Sequence, residues 1–297
     1  MEIQFAVFTS KPIPALGSFP DPSSPDAGLW SPMSCTLVYT ANAALLVDCP
    51  TSIAATEELA SWVTKTLPVG CKLRHFITSH AHGDHFFGFP VLQDRFPGIK
   101  AVATQKVVEG VATQYGPALY DGMWKPLFPT SDKGTGLPDK KVEFESLPPG
   151  HEVDLDGHLV RVHDVPHGDT HANSFIHVPD LGLVVAGDIV YNGDCHQHLG
   201  EANTGTKRAQ WLTALSQIGE LEPKIVVPGH TFTPPSEPND ATALWMLEST
   251  KEYIKGFEEE LGKARSAEDL FKRMRSRYPR WNLWILEWAC NSGFSSR

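Results

Sequence analysis

His80, His82, Asp84 and His85 fall within six consecutive residues, in the run Ser79-His80-Ala81-His82-Gly83-Asp84-His85. Imidazole and carboxylate are the side chains that hold zinc and similar borderline metals. Three histidines and an aspartate are more than a single tetrahedral ion with an open position needs. In an extended segment residues two apart face the same way, so His80 and His82 can share one ion. Asp84 and His85 follow where the strand turns, and they can point to a second. Two ions side by side would activate a water and polarise the bond it attacks, which is the chemistry of hydrolysis.

The elements that must position this run can be read around it. Thr36 to Tyr39 and Ala43 to Val47 form neighbouring strands across a turn at Ala41-Asn42. A helix follows with Leu59, Trp62 and Val63 on its apolar face, then the strand Phe76-Ile77-Thr78 that feeds the histidine run. Ile99 to Ala103 reads as another strand, with a helix after it to about Tyr115. Residues 116–140 break the rhythm with four prolines and the aromatics Tyr120, Trp124 and Phe128, a composition that suits a binding loop as well as a self-packed excursion.

Strands return at Val142-Phe144, Val153-Leu155, Leu159-Val162, Ser174-Val178, Gly182-Ala186 and Lys224-Val227, with a helix from about Lys207 to Ile218 between the last two. The C-terminal part is helical. Leu247, Ile254, Phe257 and Leu261 mark one helix, Ser266 with Asp269 caps a second, and Trp281, Trp284, Ile285 and Trp288 stripe a third. A stripe at that spacing is expected to be buried core rather than pocket wall.

Bulk properties narrow the function classes. With 297 residues and 41% hydrophobic content, the chain can bury a large core. A formal charge of −10 without a long Lys/Arg run speaks against nucleic acid as a partner. No stretch approaches the roughly 20 apolar residues of a membrane span. The start lacks a basic segment before an apolar one, and five cysteines without a Cys-x-x-Cys pair favour reduced thiols. A cytoplasmic enzyme with a small-molecule substrate is therefore expected; the oligomeric state, a homodimer included, stays open.

The run resembles the His-x-His-x-Asp-His signature of the metallo-β-lactamase superfamily, mostly dizinc hydrolases. The resemblance implies an α/β fold, a four-layer αββα sandwich spanning residues 1–297 as one domain, with a helical C-terminal extension from about residue 238. It implies two zinc ions per chain, iron or manganese being the other metals open to such ligands. Asp188, after the strand Leu183-Ala186 and a glycine, resembles the family's bridging carboxylate, and His230, at the end of Ile225-Val226-Val227-Pro228-Gly229, its last ligand. The third histidine departs from the common Gly-His-Thr-x-Gly-Ser: the chain reads Pro166-His167-Gly168-Asp169-Thr170-His171. His167, just past a strand end, is the expected ligand, and His171 the alternative, otherwise expected beside the ligands or in the pocket. His163 is expected to satisfy itself by a hydrogen bond, Asp48 to support the ligand loops, and Cys195 to be a bystander.

The resemblance thus implies His80, His82 and His167 on one ion, Asp84, His85 and His230 on the other, and Asp188 on both. Asp84 is then expected to orient the nucleophile, and Tyr191 or His196 to donate to the oxyanion or leaving group. Tyr120 and Trp124 join Tyr191 and His196 as expected pocket residues. The loops are similar to those of metallo-γ-lactamases and related hydrolases of cyclic amides or esters. A thioesterase of glyoxalase II or acyl-carrier-protein type would use the same ligands, and a glutathione thioester would need cations, for which Lys272, Arg273 and Arg275 are candidates. An iron dioxygenase would need fewer ligands.

Overall fold

Alternating apolar residues build two sheets that share a core. The computed structural model describes residues 2–17, 19–130 and 134–297. The first half contains β1 (Gln4–Thr9), β2 (Ile13–Pro14), β3 (Leu29–Trp30), β4 (Ser34–Tyr39), β5 (Ala43–Val47), α1 (Ile53–Thr66), β6 (Lys72–Ile77), α2 (Phe89–Arg95), β7 (Lys100–Ala103), α3 (Gln105–Gln114), α4 (Lys125–Leu127) and β8 (Glu145–Ser146). The second contains β9 (Glu152–Leu155), β10 (His158–Asp164), β11 (Ser174–Val178), β12 (Leu183–Gly187), α5 (Gly205–Gly219), β13 (Ile225–Pro228), α6 (Asp240–Lys263), α7 (Ala267–Arg277) and α8 (Leu283–Ser295).

The larger sheet has the order β1-β4-β5-β6-β7-β8, the second β13-β12-β11-β10-β9, and β2 pairs with β3 alone. Val38, Leu45, Val47 and Ile77 point inward onto Val160, Ile176, Leu183, Val185 and Val227 of the second sheet. Their neighbours Leu37, Leu46 and Phe76 face the other way, into a core with Leu59 and Val63 of α1, Leu92 of α2 and Val107 of α3. Val184, Ala186 and Val226 likewise turn outward onto Trp211 and Leu215 of α5 and onto α6, α7 and α8. The period of two along each strand thus separates an inner layer from two helical layers, giving the αββα sandwich. Each fully buried aliphatic side chain contributes roughly 1.5–3 kcal/mol.

The C-terminal helices complete the outer layer over the second sheet, and α6 begins at Asp240. Ser266 caps α7 by accepting from the Asp269 amide. Two expectations change. Val142-Phe144 carries no ladder, the pairing being confined to Glu145–Ser146 beside β7. Residues 116–140 are partly helical: a wide turn over Tyr120–Trp124 runs into α4, which buries Trp124, Leu127 and Phe128. Residues 131–133 of that segment lie outside the described residues. Among the described residues no helix is long and apolar enough to cross a membrane.

β5, β6 and β7 are parallel, as are β12 and β13, so the chain leaves β6, β12 and β13 at one edge of the sandwich. The ligand-type residues stand just beyond those strand ends.

Candidate active site

The loop after β6 is fastened by its own backbone. Ser79 O accepts from the Ser174 amide, Ala81 N donates to Ala172 O, and His80 bridges to Asn173, so the segment before β11 lies alongside the histidine run. A single 3₁₀ turn, Gly83–His85, then swings Asp84 and His85 inward. Across the cleft, β12 and β13 stay in register to Gly187 and Pro228, and Gly229 N donates to Gly187 O, which sets Asp188 beside His230. Gly187 has φ +50°, and a Cβ there would lie 2.4 Å from Ser79 Oγ; a Cβ at Gly229 would lie 2.0 Å from Asp188 Oδ1. Both glycines are steric requirements of the approach.

Two groups of atoms converge. His80 Nε2 lies 3.2 Å from His82 Nδ1, and Asp169 Oδ2 is 2.8 Å from His82 Nδ1 and 3.5 Å from His80 Nε2. In the second group, His85 Nε2 is 3.9 Å from Asp84 Oδ2, and His230 Nε2 is 3.4 Å from the same oxygen. Asp188 joins the second group, with Oδ1 3.5 Å from His85 Nε2 and Oδ2 3.4 Å from His230 Nε2. It also groups with His80 and His85, and so stands between the two sets. Ligands at about 2.0–2.1 Å around a tetrahedral ion sit about 3.3 Å from one another, and these separations straddle that edge length.

Hydrogen bonds fix the tautomer of every imidazole so that its remaining lone pair faces inward. His85 Nδ1 donates to Asp48 Oδ2 at 3.1 Å, and His230 Nδ1 to Pro32 O at 3.0 Å. His82 Nε2 donates to Glu201 Oε1 at 3.1 Å. The Ser79 hydroxyl gives its proton to Asp48 Oδ2, so at 3.0 Å from His80 Nδ1 it can only accept. What remains are Nε2 of His80, His85 and His230 and Nδ1 of His82. His85 Nε2, Asp188 Oδ1 and Asp169 Oδ2 are buried without any hydrogen bond. Buried lone pairs turned on one another are costly unless a cation lies among them. The donor set therefore fits two divalent ions, with outer carboxylates orienting the histidines as metal sites commonly require.

The protonation pattern agrees. Burial opposes charge on His82, but Asp169 and Glu201 outweigh it and raise the ring well above the usual histidine range. Asp188 and Asp84 do the same for His230, and the two carboxylates are in turn held well below the usual range despite their burial. A site that draws protons onto buried imidazoles offers a strong anionic field to any cation.

The expected ligands divide as follows. His80, His82, Asp84, His85, Asp188 and His230 are brought together. His167 is not: it is buried, with Nδ1 2.7 Å from Gly168 O, and belongs to none of the convergent groups. Asp169 instead groups with His80 and His82, in a run Gly168-Asp169-Thr170 that has aspartate where the common Gly-His-Thr has histidine. His171 is exposed in a neighbouring groove that shares Gln114, Leu119 and Glu201 with the cleft, and does not itself line the cleft. His163 stacks on Phe175 with centroids 4.8 Å apart, and its Nε2 has no hydrogen bond, contrary to expectation. Asp48 is the support it was expected to be, accepting from the Ser79 amide and hydroxyl as well as from His85. Cys195 is fully buried, and burial pushes its thiol well up.

The cleft beside the cluster is lined by Trp30, Trp124, Tyr191, His196, His198, Glu201, Ile285 and Trp288, among others. Tyr191 donates to Asp188 Oδ2 at 2.8 Å, so its proton is committed to that carboxylate and not to an oxyanion. His196 Nδ1 is 2.7 Å from Tyr253 Oη, and its Nε2 is buried without a partner. With the tyrosine hydroxyl as donor, the His196 proton sits on Nε2. Burial, with Arg280 and Arg275 adding repulsion, pushes the His196 pKa down to about 3.

Tyr120 lies behind the wall against Phe87 and Tyr115 and does not line the cleft, whereas Trp124 does. Ile285 and Trp288 of the stripe are pocket wall and not merely core. Lys272, Arg273 and Arg275 stand on α7, paired with Glu268, Asp269 and Asp21, and line no part of the cleft. Trp30 and Glu201 were not expected here, because only the folded chain gathers them, and Trp288 was expected as core.

Comparison with known proteins gives the same reading. A family model described as the metallo-beta-lactamase superfamily matches residues 29–230. A metallo-beta-lactamase type 2 from Bacteroides fragilis is 25% identical over 235 residues, covering 78% of this chain and 79% of that protein. A metallo-beta-lactamase family protein from Thermus thermophilus superposes with a TM-score of 0.65 at 16% identity, over 98% of this chain and 91% of its own. A beta-lactamase domain protein from Burkholderia ambifaria gives 0.60 at 18% identity, over 89% and 80%. With the sandwich, the strand-end ligands and the family match in agreement, the chain belongs to the metallo-β-lactamase superfamily.

Proposed function

We propose that this protein is a dinuclear metal hydrolase, zinc its expected metal, that opens a cyclic amide or ester of a small molecule. The observation that carries the reading is the set of four imidazoles whose outer nitrogens are all engaged, leaving four inner lone pairs and three carboxylates facing one another. His80, His82 and Asp169 would hold one ion, Asp84, His85 and His230 the other, and Asp188 would be shared. Bound there, divalent ions supply Lewis acidity and an ionised water near neutral pH.

The chain's own groups do the rest. Trp30 Nε1 donates to Asp84 Oδ2 at 2.8 Å, fixing the carboxylate that orients the attacking water and takes its proton. Tyr191 keeps Asp188 in its shared position. His196, neutral because of its burial, offers Nε2–H to the oxygen that gains charge as the carbonyl is attacked. Five free cysteines suit a setting that keeps thiols reduced, such as the cytoplasm.

A second reading draws on one observation: His80, His82 and Asp169 make a two-histidine, one-carboxylate triad of the kind that serves non-haem iron. The complete second set favours the hydrolase. Metal analysis with a panel of lactams, lactones and thioesters tests the proposal. About two zinc ions per chain with ring-opening activity support it; a single iron with oxygen uptake overturns it.

A further inference from the structure

We infer that the cleft selects substrates whose group next to the scissile bond is a flat, uncharged ring, and that it rejects the same ring carrying a carboxylate. The inference rests on the proposed hydrolase, whose substrate class it narrows. One wall is apolar and comes from three separate parts of the chain: Trp30 on β3, Leu119, Met123 and Trp124 from the turn before α4, and Ile285 and Trp288 on α8.

The indoles of the wall are linked ring to ring, in part through Trp284, which does not itself line the cleft. Trp124 meets Trp30 at 5.5 Å between centroids, Trp30 meets Trp284 at 5.2 Å, and Trp284 meets Trp288 at 5.5 Å. Trp288 then meets His198 at 4.7 Å, and His198 meets His82 at 5.4 Å. The linked rings meet the candidate metal ligands at two points, through Trp30 to Asp84 and through His198 to His82. A Cβ on Gly200 would come within 2.7 Å of His198 Cε1 and 3.1 Å of Trp288 Cδ1, so this corner closes only over glycine. A ring laid on the wall is therefore held at a fixed distance from the ligand cluster. Such faces reward a flat apolar partner through burial and stacking.

The facing wall is acidic: Asp84, Asp188 and Glu201, with imidazoles, and among the described residues lining the cleft there is no Lys or Arg. Two divalent ions would bring four positive charges, and Asp84, Asp169, Asp188 and Glu201 bring four negative ones. No surplus remains to attract an anion, and no cationic side chain lines the cleft to pair with one.

Binding and turnover separate this inference from the hydrolase reading. Quinolin-2-one, an uncharged bicyclic amide, and its 4-carboxylate are titrated against the zinc-loaded protein, with binding read by quenching of indole fluorescence. The uncharged compound should bind at least about tenfold tighter than the carboxylate. Trp288→Ala should remove most of that preference, and Leu119→Arg, at a half-buried rim position, should bring the carboxylate within about threefold of the neutral ring. Equal or tighter binding of the carboxylate, or an unchanged preference in Trp288→Ala, would overturn the inference. Hydrolysis of dihydrocoumarin, an uncharged aryl lactone, reports on the hydrolase separately: binding without turnover would leave the selectivity standing and sink the chemistry.

Discussion

Replacing Asp169 by asparagine tests the one ligand for which structure and sequence expectation part. Asp169 Oδ2 faces His82 Nδ1 at 2.8 Å and His80 Nε2 at 3.5 Å. Its Oδ1 accepts from the Thr170 amide at 2.8 Å and from Asn173 Nδ2. Asparagine can keep the Oδ1 contacts, so the loop should survive while the anionic ligand atom is lost. Removing a residue that merely orients a ligand costs about 10–100-fold in metal affinity. Losing the ligand itself should cost at least about 100-fold, or about 2.8 kcal/mol. His167→Ala is the paired control: it removes a buried ring bonded to Gly168 O, at about 1–3 kcal/mol of stability, without touching the convergent atoms. Metal content after dialysis against a weak chelator, with calorimetric titration of zinc, reads both variants. Asp169→Asn should fall towards one tightly held ion per chain, while His167→Ala keeps the parent stoichiometry. The reverse pattern would refute the assignment and restore His167 as the ligand.

Other perturbations follow from the same geometry. Asp48→Ala leaves the Ser79 amide, the Ser79 hydroxyl and His85 Nδ1 without their buried acceptor, and it puts alanine at φ +62°; denaturant melts should show a loss of at least about 3 kcal/mol, and a loss under 1 would contradict the role. Tyr191→Phe removes the donor to Asp188, so zinc affinity should fall about 10–100-fold with the fold intact by circular dichroism; unchanged affinity would make the tyrosine a packing residue only. His196, with its folded pKa pushed down to about 3, binds a proton in the unfolded chain before it does in the folded one. Its neutral form contributes stability that is fully present above pH ~6.5 and lost as pH falls towards ~3, at most about 5 kcal/mol. His196→Gln should flatten the acid limb of stability against pH, and an unchanged slope would contradict the burial argument.

Much of this was legible before folding, for physical reasons. The strands ending at Ile77, Gly187 and Pro228 are short apolar runs closed by glycine or by a polar residue, so their ends, and with them His80, Asp188 and His230, could be placed from the sequence. The inner and outer faces followed from alternation in runs such as Ala43 to Val47. Asp169, which groups with His80 and His82, was not named beforehand because an imidazole was expected there, whereas the chain has a carboxylate within a Gly-x-Thr frame. Glu201 and His198 had no local signature: they face His82 only because the segment after β12 folds back over the histidine loop. The indoles of Trp30 and Trp288, 258 positions apart in sequence, share a wall through packing alone. The helical spacing of Trp281, Trp284 and Trp288 shows that one face is apolar, and it carries no information on whether protein or ligand covers that face.

The most direct test of the central claim is a zinc-edge anomalous diffraction map of the zinc-loaded protein. Two peaks are expected, one bounded by His80, His82 and Asp169, the other by Asp84, His85 and His230, with Asp188 between them, each at about 2.0–2.2 Å from its ligand atoms. A single peak, or a first peak coordinated by His167 with Asp169 turned away, would contradict the account.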